Sequence, residues 1–415
     1  MSKVRKSTVA GIVCGILLIV ACVVIANMGN HDKSANPGPA KYIFLFIGDG
    51  MGATHVAAAE SYLSYLEGER GLEQVSFTKF PVLGMASTYS ADKNITCSSA
   101  AGTAISCGEK TNNGMLGITP DGDTLTSIAL ELKEKGYKIG IMSSVPVNHA
   151  TPAAFYGHNA SRHDYYGITK EIPASGYDFF AGSGFLDYAG KDGDRTGSEE
   201  LLENEGYTVC FGNEEYEEAL RNGAERIVLC QEEYKGSEVP SYVTGKKSDT
   251  TIGSAEMMKK CLDFLGDEKP FFIMYEQGEI DWCAHDNKTM PMIEAVLKLD
   301  DAVETALEFY KKHPDETLIL VTADHETGGI TLGATGTRAE VNLHWEELDS
   351  AWIASGHLNT MKENENRKLN DSAFIGWTTH GHTGGPVPVY AIGAGAERFG
   401  GRYDNTDIKG KILGE

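Results

Sequence analysis

Continuous apolar segments alternate along this chain with longer segments in which apolar residues recur every three or four positions. Short apolar runs are typical of strands buried on both faces of a parallel sheet, and the periodic segments are typical of amphipathic helices. The predicted strands are Lys41–Ile47, a region within Val82–Ile95, Lys138–Ser143, Pro270–Tyr275, Thr317–Thr322 and, as the last strand, Val387–Ile392. The predicted helices are one that ends near Glu67, one that runs from Ser98 toward Gly108, Thr124–Lys135, one capped by Thr151, Ser254–Leu265 and Met292–Lys311. This alternation predicts an α/β fold with a doubly wound, mostly parallel central sheet and helices on both faces.

Two stretches interrupt this alternation. Residues 181–249 are acidic and contain only short predicted elements, and residues 331–374 are polar but include two tryptophans. We predict that both are insertions into one domain that spans residues 41–415. They either shape the mouth of a functional site or decorate the surface, and the sequence leaves both alternatives open.

The first 40 residues differ in composition from the rest of the chain. Three basic residues precede an uncharged apolar run, Val9–Ala26, which is long enough to span a membrane and longer than the apolar core of most cleaved signal peptides. We predict that residues 1–26 are a signal or membrane anchor and that residues 27–40 are a tether. Lipoprotein processing at Cys22 and ordinary signal-peptide cleavage remain alternatives. All three predict an extracytoplasmic domain, with a membrane anchor favoured by the length of the run.

The net charge restricts the possible partners, and the cysteine spacing restricts the possible metal sites and disulfides. The net charge of -23 argues against a nucleic-acid backbone as partner, because like charges repel. A phosphorylated small molecule is not excluded, since bound metal ions can reverse the sign of the charge locally. No pair of cysteines has the spacing of a zinc ribbon. Cys210 and Cys230 are the most plausible disulfide pair in an oxidising compartment.

Acidic and histidine residues follow several of the predicted strands. Asp49 comes directly after the first strand, Glu276 follows the strand that ends at Tyr275, and Asp324 and His325 follow Thr322. In open α/β sheets, ligands bind beyond the carboxyl ends of the strands. A single aspartate at such a position is often only a helix cap, but three strand ends of this kind are hard to assign to chance. We therefore predict that these side chains are metal ligands.

Further ligand-type side chains lie elsewhere in the chain. Asp281 and His285 are four residues apart and share one face of a helix, although a surface ion pair would show the same spacing. His382 lies in a glycine-rich segment before the last predicted strand. With the strand-end residues this gives more ligands than one zinc ion takes, which favours a two-metal or three-metal centre. Zinc suits the sets that contain histidine and Mg²⁺ suits an oxygen-rich set, and paired metals assist in-line displacement at phosphorus.

A nucleophile and a phosphate-binding cation can also be predicted. Ser98 stands where a strand region meets a helix of small residues, and free N–H groups at a helix N-terminus favour an anion. Read alone, Ser98 is also an ordinary N-cap. Arg162 can pair with two phosphate oxygens, although an arginine at this place is also typical of a surface.

These residues lie in segments that resemble the bacterial alkaline phosphatases, which are zinc-dependent phosphomonoesterases. The segments occur in the family's order and cover nearly the whole chain after the tether. They are Phe44–Gly52, Thr96–Gly117, His149–Arg162, Tyr275–His285, Val321–Gly329 and His380–Gly393. The resemblance implies that residues 41–415 are a catalytic domain that hydrolyses small phosphate monoesters to inorganic phosphate. It also implies a possible homodimer, since members of the family often form dimers.

The resemblance assigns a role to each candidate residue. Ser98 is implied to be the nucleophile that forms a phosphoserine, and Arg162 to bind two non-bridging phosphate oxygens. Two zinc ions and a third ion, Mg²⁺ or another divalent ion, are implied as cofactors. Their implied ligands are Asp281, His285 and His382 for one zinc, Asp49, Asp324 and His325 for the second zinc, and Asp49, Thr151 and Glu276 for the third ion.

Three residues near the implied site depart from the family pattern. Cys97 stands where many members have an aspartate that helps to position the arginine, so the orientation of Arg162 is an open question. His149 stands where some members have aspartate, and its imidazole can enter the third metal site and weaken the preference for Mg²⁺. Trp282 stands where the best-known bacterial enzymes have a lysine near the phosphate.

Three other classes of protein are alternatives to a phosphomonoesterase. A sulfatase is disfavoured, because the residues after Cys97 lack the proline and arginine of the sulfatase motif. A phosphodiesterase of the same superfamily usually has a threonine nucleophile and lacks the equivalent of Arg162. A catalytically silent phosphate-binding or metal-binding protein is the alternative outside enzymes, and the intact Ser98 argues against it.

Overall fold

The computed structural model describes residues 38–237, 250–334, 341–357 and 361–415, and all of these from Pro39 onward belong to one compact unit, Pro39–Glu415. The strands are β1 (Tyr42–Gly48), β2 (Val82–Ser87), β3 (Lys138–Ser143), β4 (Phe179–Ala181), β5 (Thr208–Phe211), β6 (Ile227–Cys230), β7 (Phe271–Gln277), β8 (Thr317–Thr322), β9 (Glu326–Thr327), β10 (Ile330–Leu332), β11 (Ile375–Trp377), β12 (His382–Thr383), β13 (Val387–Gly393) and β14 (Gly401–Asp404). The helices are α1 (Ala53–Leu66), α2 (Ser98–Cys107), α3 (Ile128–Glu134), α4 (Ala150–Ala153), α5 (Tyr165–Thr169), α6 (Ile172–Ser175), α7 (Ser198–Asn204), α8 (Gly212–Arg221), α9 (Ser254–Leu265), α10 (Glu279–His285), α11 (Thr289–Tyr310), α12 (Trp345–Ala354), α13 (Glu363–Ser372) and α14 (Asp407–Leu413). Short 3₁₀ helices cover Ser76–Lys79, Glu232–Tyr234 and Ala396–Phe399.

A ten-stranded sheet forms the centre of the described unit, in the order β14-β2-β13-β8-β1-β7-β3-β4-β6-β5. Each neighbouring pair in this sheet is parallel except the two that involve β13, which runs opposite to β2 and β8. Every residue of β1 is buried, as expected for a strand that lies between two parallel neighbours and is covered on both faces. The predicted α/β fold with a mostly parallel sheet is therefore confirmed.

Most predicted elements have the expected type, and the differences have local causes. The prediction that β13 is the last strand is wrong, since β14 follows it at the edge of the sheet. That strand is short and partly exposed, so it has no apolar run to reveal it. The predicted cap at Thr151 is also wrong, because α4 begins at Ala150 and His149 occupies the N-cap position.

The predicted insertions contain regular structure that joins the central unit. Strands β4, β6 and β5 extend the parallel sheet beyond β3, so the stretch 181–249 contributes β5, β6 and the last residue of β4 to the sheet. In the other stretch, the Trp345 indole donates to Ser61 Oγ at 3.0 Å and packs edge-on against a tyrosine of α1. Parts of both stretches lie outside the described residues. The predicted domain division itself stays a prediction.

The predicted disulfide is wrong. All six cysteines among the described residues are free thiols, including Cys210 and Cys230. The register of β5 and β6 pairs Cys210 with Leu229 and Cys230 with Phe211. The two cysteines are thus offset by one position, and side chains at successive positions point to opposite faces of a sheet.

The predicted membrane-anchored, extracytoplasmic localisation is also corrected. Among the described residues, no helix is long and apolar enough to cross a membrane. The long helix α11, for example, carries charged residues along its length. The apolar run Val9–Ala26 lies outside the described residues, and the prediction of an anchored localisation is not retained.

Substitution of Gly84 tests the close packing beside the edge of the sheet. A Cβ atom on Gly84, in β2, would lie 2.0 Å from the carbonyl oxygen of Phe399, so Gly84→Ala forces the backbone apart. Overpacking of this kind costs about 1–3 kcal/mol, and we expect a lower Tm in thermal unfolding monitored by circular dichroism. Gly410→Ala is the control, because no atom lies within 4 Å of the new methyl group in α14 and alanine favours a helix. An unchanged Tm for Gly84→Ala would contradict the packing described here.

Candidate metal centre and nucleophile

The topology of the sheet brings the predicted ligands to one edge. Asp49, Glu276 and Asp324 lie at or just beyond the carboxyl ends of β1, β7 and β8, which are adjacent parallel strands. The antiparallel strand β13 begins where those strands end, so His382, which precedes it, reaches the same edge. Three groups of potential metal ligands form here, and the ligand atoms within each group lie within 4.8 Å of one another.

The first group consists of Asp281, His285 and His382. One turn of α10 places Asp281 and His285 on the same face, with 3.3 Å between Asp281 Oδ2 and His285 Nε2. The two imidazoles face each other with their Nε2 atoms 3.2 Å apart. Their Nδ1 atoms lie 2.5 Å and 2.8 Å from the carbonyl oxygens of His380 and Thr96, respectively. A carbonyl only accepts, so each Nδ1 carries a hydrogen and each Nε2 is directed into the group.

The electrostatics of the first group favour exchange of a proton for a metal ion. Burial is the largest single effect and lowers the pKa of His285, but the hydrogen bond and the charge of Asp281, together with smaller effects of the His380 carbonyl and Asp286, outweigh burial and raise that pKa to about 9. Burial raises the pKa of Asp281, but the facing imidazoles outweigh this effect and hold its pKa below the usual value. His285 and Asp281 therefore form an ion pair at neutral pH. Metal binding here must release the proton on His285 Nε2.

The second group consists of Asp49, Asp324 and His325, which are all buried. His325 Nε2 lies 3.3 Å from Asp49 Oδ1 and 3.2 Å from Asp324 Oδ2. Burial lowers the pKa of His325 well below its usual value, so the imidazole is neutral, as a metal ligand must be. Asp324 Oδ1 accepts hydrogen bonds from the N–H groups of Gly50 and His325, and these bonds leave Oδ2 directed toward the group.

The third group consists of Asp49, His149 and Glu276. Asp49 belongs to the second group as well and therefore links the two. Glu276 Oε2 accepts a short hydrogen bond from the Ser143 hydroxyl, whereas Oε1 has no hydrogen-bond partner. The hydroxyl of Thr151 is also buried without such a partner. Burial lowers the pKa of His149 to about 3, so its imidazole is neutral.

The second and third groups fit divalent cations because of their buried, unpaired oxygens. Burial raises the pKa of Asp49 well above its usual value, and the charges of Asp324 and Asp281 raise it further. The pKa of Asp324 is raised to about 7, mainly by burial and secondly by the charge on Asp281. The oxygen atoms in and beside these two groups that are buried without hydrogen bonds are both carboxylate oxygens of Asp49, Asp324 Oδ2, Glu276 Oε1 and Thr151 Oγ1. Oxygens left in this state are costly to bury, and a divalent ion would satisfy them.

Ser98 lies beside the second group. It is 2% exposed and is the first residue of α2, while Cys97 occupies the N-cap position. The Ser98 hydroxyl is therefore not the cap of its helix. Its Oγ atom lies 3.2 Å from His325 Nε2 and 3.5 Å from Arg162 Nη1. The hydroxyl thus lies between potential metal ligands and a guanidinium, at the positive end of a helix.

Gly114, in the loop that follows α2, connects Cys97 to Arg162. The N–H of Gly114 donates to Cys97 Sγ at 3.1 Å, and the carbonyl oxygen of Gly114 accepts from the N–H of Arg162 at 2.7 Å. At the other end of the arginine, Nη2 lies 3.3 Å from His149 Nε2, and the ring of Trp282 packs edge-on against His149. Cys97 and Trp282 thus act on the position of Arg162 through one intermediate residue each.

The structure brings together the side chains predicted as metal ligands and places Ser98, the predicted nucleophile, beside them, while the roles of these residues stay predictions. It also adds residues that the sequence did not single out. Ser143 bonds to Glu276, the carbonyl of His380 orients His285, and the hydroxyl of Thr327 lies between Asp281 and His325. The position of Ser143 at the end of β3 was the one available signal, since this is the same strand-end position that marked Asp49.

Comparison with known proteins relates the chain to one family. The family model for alkaline phosphatase matches residues 40–184 and 234–413. Alkaline phosphatase 4 of Bacillus subtilis (strain 168) is 29% identical and covers 90% of this chain, which in turn covers 88% of that protein. Alkaline phosphatase 3 of the same organism is 28% identical, with coverage of 92% and 90%.

Solved structures show the same relationship. The alkaline phosphatase from the Antarctic bacterium TAB5 is 28% identical, superposes with a TM-score of 0.71, and matches 90% of this chain and 98% of its own. A mutant of the TAB5 enzyme with Mg bound in one of its sites is 29% identical with a TM-score of 0.70 and coverage of 91% and 97%. The cold-active enzyme of a Shewanella species is 27% identical with a TM-score of 0.71 and coverage of 90% and 98%.

Neutralisation of Asp324 tests the electrostatic strain in the second group. The pKa of Asp324 is near 7 in the fold, against 3.8 ordinarily, so the folded state holds a proton that the unfolded state releases. Stability without metal therefore falls as the pH rises from about 4 to 7. In chelator-treated protein at pH 8, we expect Asp324→Asn to raise Tm by a few degrees. The gain should shrink at pH 5, where Asp324 is protonated in the fold, and a lower Tm for the variant at pH 8 would contradict this account.

Proposed function

The chain belongs to the alkaline phosphatase family and is a phosphatase, and on this premise we propose that it hydrolyses small phosphate monoesters through a phosphoserine at Ser98. The proposal rests on the surroundings of the Ser98 hydroxyl. The Ser98 hydroxyl lies within 3.5 Å of both a metal-ligand imidazole and the guanidinium of Arg162. A weak nucleophile, the groups that activate it and a phosphate-binding cation are thus assembled at one point.

The three groups of ligands would hold three divalent ions. Asp281, His285 and His382 would hold one Zn²⁺, and Asp49, Asp324 and His325 would hold a second. Asp49, Glu276 and Thr151 would hold the third ion, Mg²⁺ or, because His149 adds a nitrogen ligand, another divalent ion. When bound, such ions lower the pKa of a hydroxyl or a water molecule and polarise phosphoryl oxygens.

Ser98 carries the phosphoryl group between two displacements. In the first, Ser98 Oγ bonds to phosphorus as the bond to the ester oxygen breaks, and the alcohol leaves with a proton. In the second, a water oxygen bonds to phosphorus from the opposite side and the bond to Ser98 Oγ breaks, which releases phosphate and restores the hydroxyl. Two in-line displacements give net retention at phosphorus. A neighbouring histidine base is not required by this scheme, since metal coordination is one recognised means of activating a serine.

Arg162 and the start of α2 hold the phosphoryl oxygens. The guanidinium can donate two parallel hydrogen bonds to non-bridging oxygens, which fixes the phosphoryl group for in-line attack. The backbone N–H groups at the N-terminus of α2 add partial positive charge where negative charge accumulates. The N–H of Arg162 donates to the carbonyl oxygen of Gly114, and this hydrogen bond fixes the backbone from which the side chain extends.

Arg162 also favours monoesters over diesters. A phosphate monoester has three non-bridging oxygens, so two can pair with the guanidinium while the third faces the ligand groups beside Ser98. A diester has only two non-bridging oxygens and would lose one of these contacts. The alternative of a silent phosphate-binding protein offers no reason for a buried serine beside a metal-ligand group. We retain a homodimer as a proposal from family membership, to be checked by light scattering.

Removal of metal and removal of the nucleophile test the proposed function. With p-nitrophenyl phosphate, we expect activity to disappear on chelation and to return with Zn²⁺ and Mg²⁺, and Ser98→Ala to lower kcat roughly 10³-fold or more. Ser106→Ala is the control, because Ser106 lies in the same helix but bonds to Ala154 instead of the candidate site.

The class of ester is tested with a matched methyl diester, which should react far more slowly than the monoester. Activity that is indifferent to chelators and to Ser98→Ala would exclude the mechanism, and a faster diester would favour the phosphodiesterase.

Truncation of Cys97 tests its action on Arg162. Cys97→Ala removes the acceptor of the Gly114 N–H and loosens the link to the arginine backbone. A lost hydrogen bond of this kind costs about 1–2 kcal/mol, so we expect KM and the inhibition constant of phosphate to rise roughly 5–30-fold with a smaller change in kcat. In an Arg162→Ala background the same truncation should have no further effect on phosphate affinity. Cys107→Ala, at the other end of α2, is the control, and equal effects of the two truncations would contradict the assigned role.

A further inference from the structure

Thr327 is a fully buried residue between the first and second ligand groups. It lies in the short strand β9, and its N–H donates to the carbonyl oxygen of Gly50 at 3.0 Å. Its hydroxyl oxygen lies 2.5 Å from Asp281 Oδ1 and 3.2 Å from His325 Nδ1. One side chain thus contacts a ligand of each group, although it belongs to neither.

The chemistry of the partners sets the direction of both hydrogen bonds. A carboxylate only accepts, so the Thr327 hydroxyl donates its single hydrogen to Asp281. The hydroxyl oxygen is then free to accept, and His325 Nδ1 must supply the hydrogen. A neutral imidazole carries one N–H, so His325 Nε2 is left with its lone pair directed at Asp49 and Asp324.

We propose that Thr327 is a positioning residue that couples the two zinc sites through one chain of hydrogen bonds, from His325 Nδ1 through its own hydroxyl to Asp281 Oδ1. This inference rests on the proposed metal ligands and adds to them. These hydrogen bonds select the tautomer of His325 that can bind metal through Nε2, and they fix the carboxylate of Asp281 in the other site. Outer hydrogen bonds of this type orient metal ligands and raise their basicity.

Gly50 leaves the space that the Thr327 hydroxyl occupies. Its backbone has φ of +70°, and a Cβ atom at this position would lie 2.8 Å from Thr327 Oγ1 and 3.0 Å from Asp281 Oδ1. The residue after Asp49 therefore has no side chain where the hydrogen-bond chain passes. Valine at position 327 has nearly the shape of threonine but can neither donate to Asp281 nor accept from His325.

Zinc binding by the full chain tests the coupling without relying on activity. Thr327→Val, Thr327→Ser and the control Thr317→Val are stripped of metal and titrated with Zn²⁺ in a chelator-buffered series, and bound zinc is measured after equilibrium dialysis. Thr317 is buried at the start of β8 and donates one hydrogen bond to the His313 carbonyl, so its replacement by valine removes a similar bond away from the ligand groups. We expect Thr327→Val to weaken the binding of both zinc ions, roughly 10–100-fold. Thr327→Ser and Thr317→Val should bind zinc as the unsubstituted chain does.

The outcomes separate this inference from the proposed function. If the unsubstituted chain binds two zinc ions and Thr327→Val binds both as tightly, the coupling is refuted while the metal ligands stand. Weakening of one site alone, or no recovery in Thr327→Ser, also refutes it. If the unsubstituted chain binds no zinc, the metal ligands themselves are refuted. If Thr327→Val does not fold, Thr327→Ala removes the same hydroxyl and is judged by the same zinc titration.

Discussion

Buried negative charge at one edge of the central sheet is the constraint around which the site is built. Asp49, Glu276, Asp281 and Asp324 are all buried there, and burial of a carboxylate without a partner is costly. The fold offsets only part of this cost. Imidazoles stabilise the charge on Asp281, whereas the raised pKa values of the other three show that their charges are poorly compensated by the protein alone. Divalent cations would supply the missing positive charge, so the same arrangement that weakens the fold near neutral pH prepares it for metal.

The sheet topology concentrates these groups and the loops orient them. Adjacent parallel strands end at one edge, and the reversed strand β13 returns a histidine-bearing segment to that edge. Backbone carbonyls then select the ring nitrogens of His285 and His382, and the Thr327 hydroxyl does the same for His325. The surroundings of Ser98 are set at the same edge, since α2 begins beside the second ligand group and Arg162 approaches from the loop that follows α4. The proposed reactivity of the serine would therefore depend on groups supplied by distant parts of the chain.

The fold class and the meeting of the candidate ligands at one sheet edge could be predicted from the sequence, whereas the residues around those ligands could not. Strands such as β3 and β8 have apolar runs that end where the strands end, and Asp49 and Asp324 could be placed because strand ends share an edge. Edge strand β14 escaped prediction because it is partly exposed and has no such run. The Cys210–Cys230 pairing failed because the register between strands decides which face a side chain takes, and one sequence does not show register.

The least predictable residues act through others. Thr327, Ser143 and the carbonyl of His380 have ordinary sequence contexts, and their importance appears only from the atoms that they contact. Cys97 could be named as a departure from the family pattern, but its connection to Arg162 runs through the backbone of Gly114 and has no sequence signature. Hydrogen bonds of this kind depend on three-dimensional approach between segments far apart in the chain.

Anomalous diffraction at the zinc absorption edge, from crystals of the protein grown with Zn²⁺, is the most direct test of the central claim. We expect two strong peaks, one among Asp281, His285 and His382 and one among Asp49, Asp324 and His325, with Ser98 Oγ beside the second. Zinc bound only at surface histidines, or no peak next to Ser98, would contradict the claim that buried carboxylates at this sheet edge form the metal centre of a phosphatase.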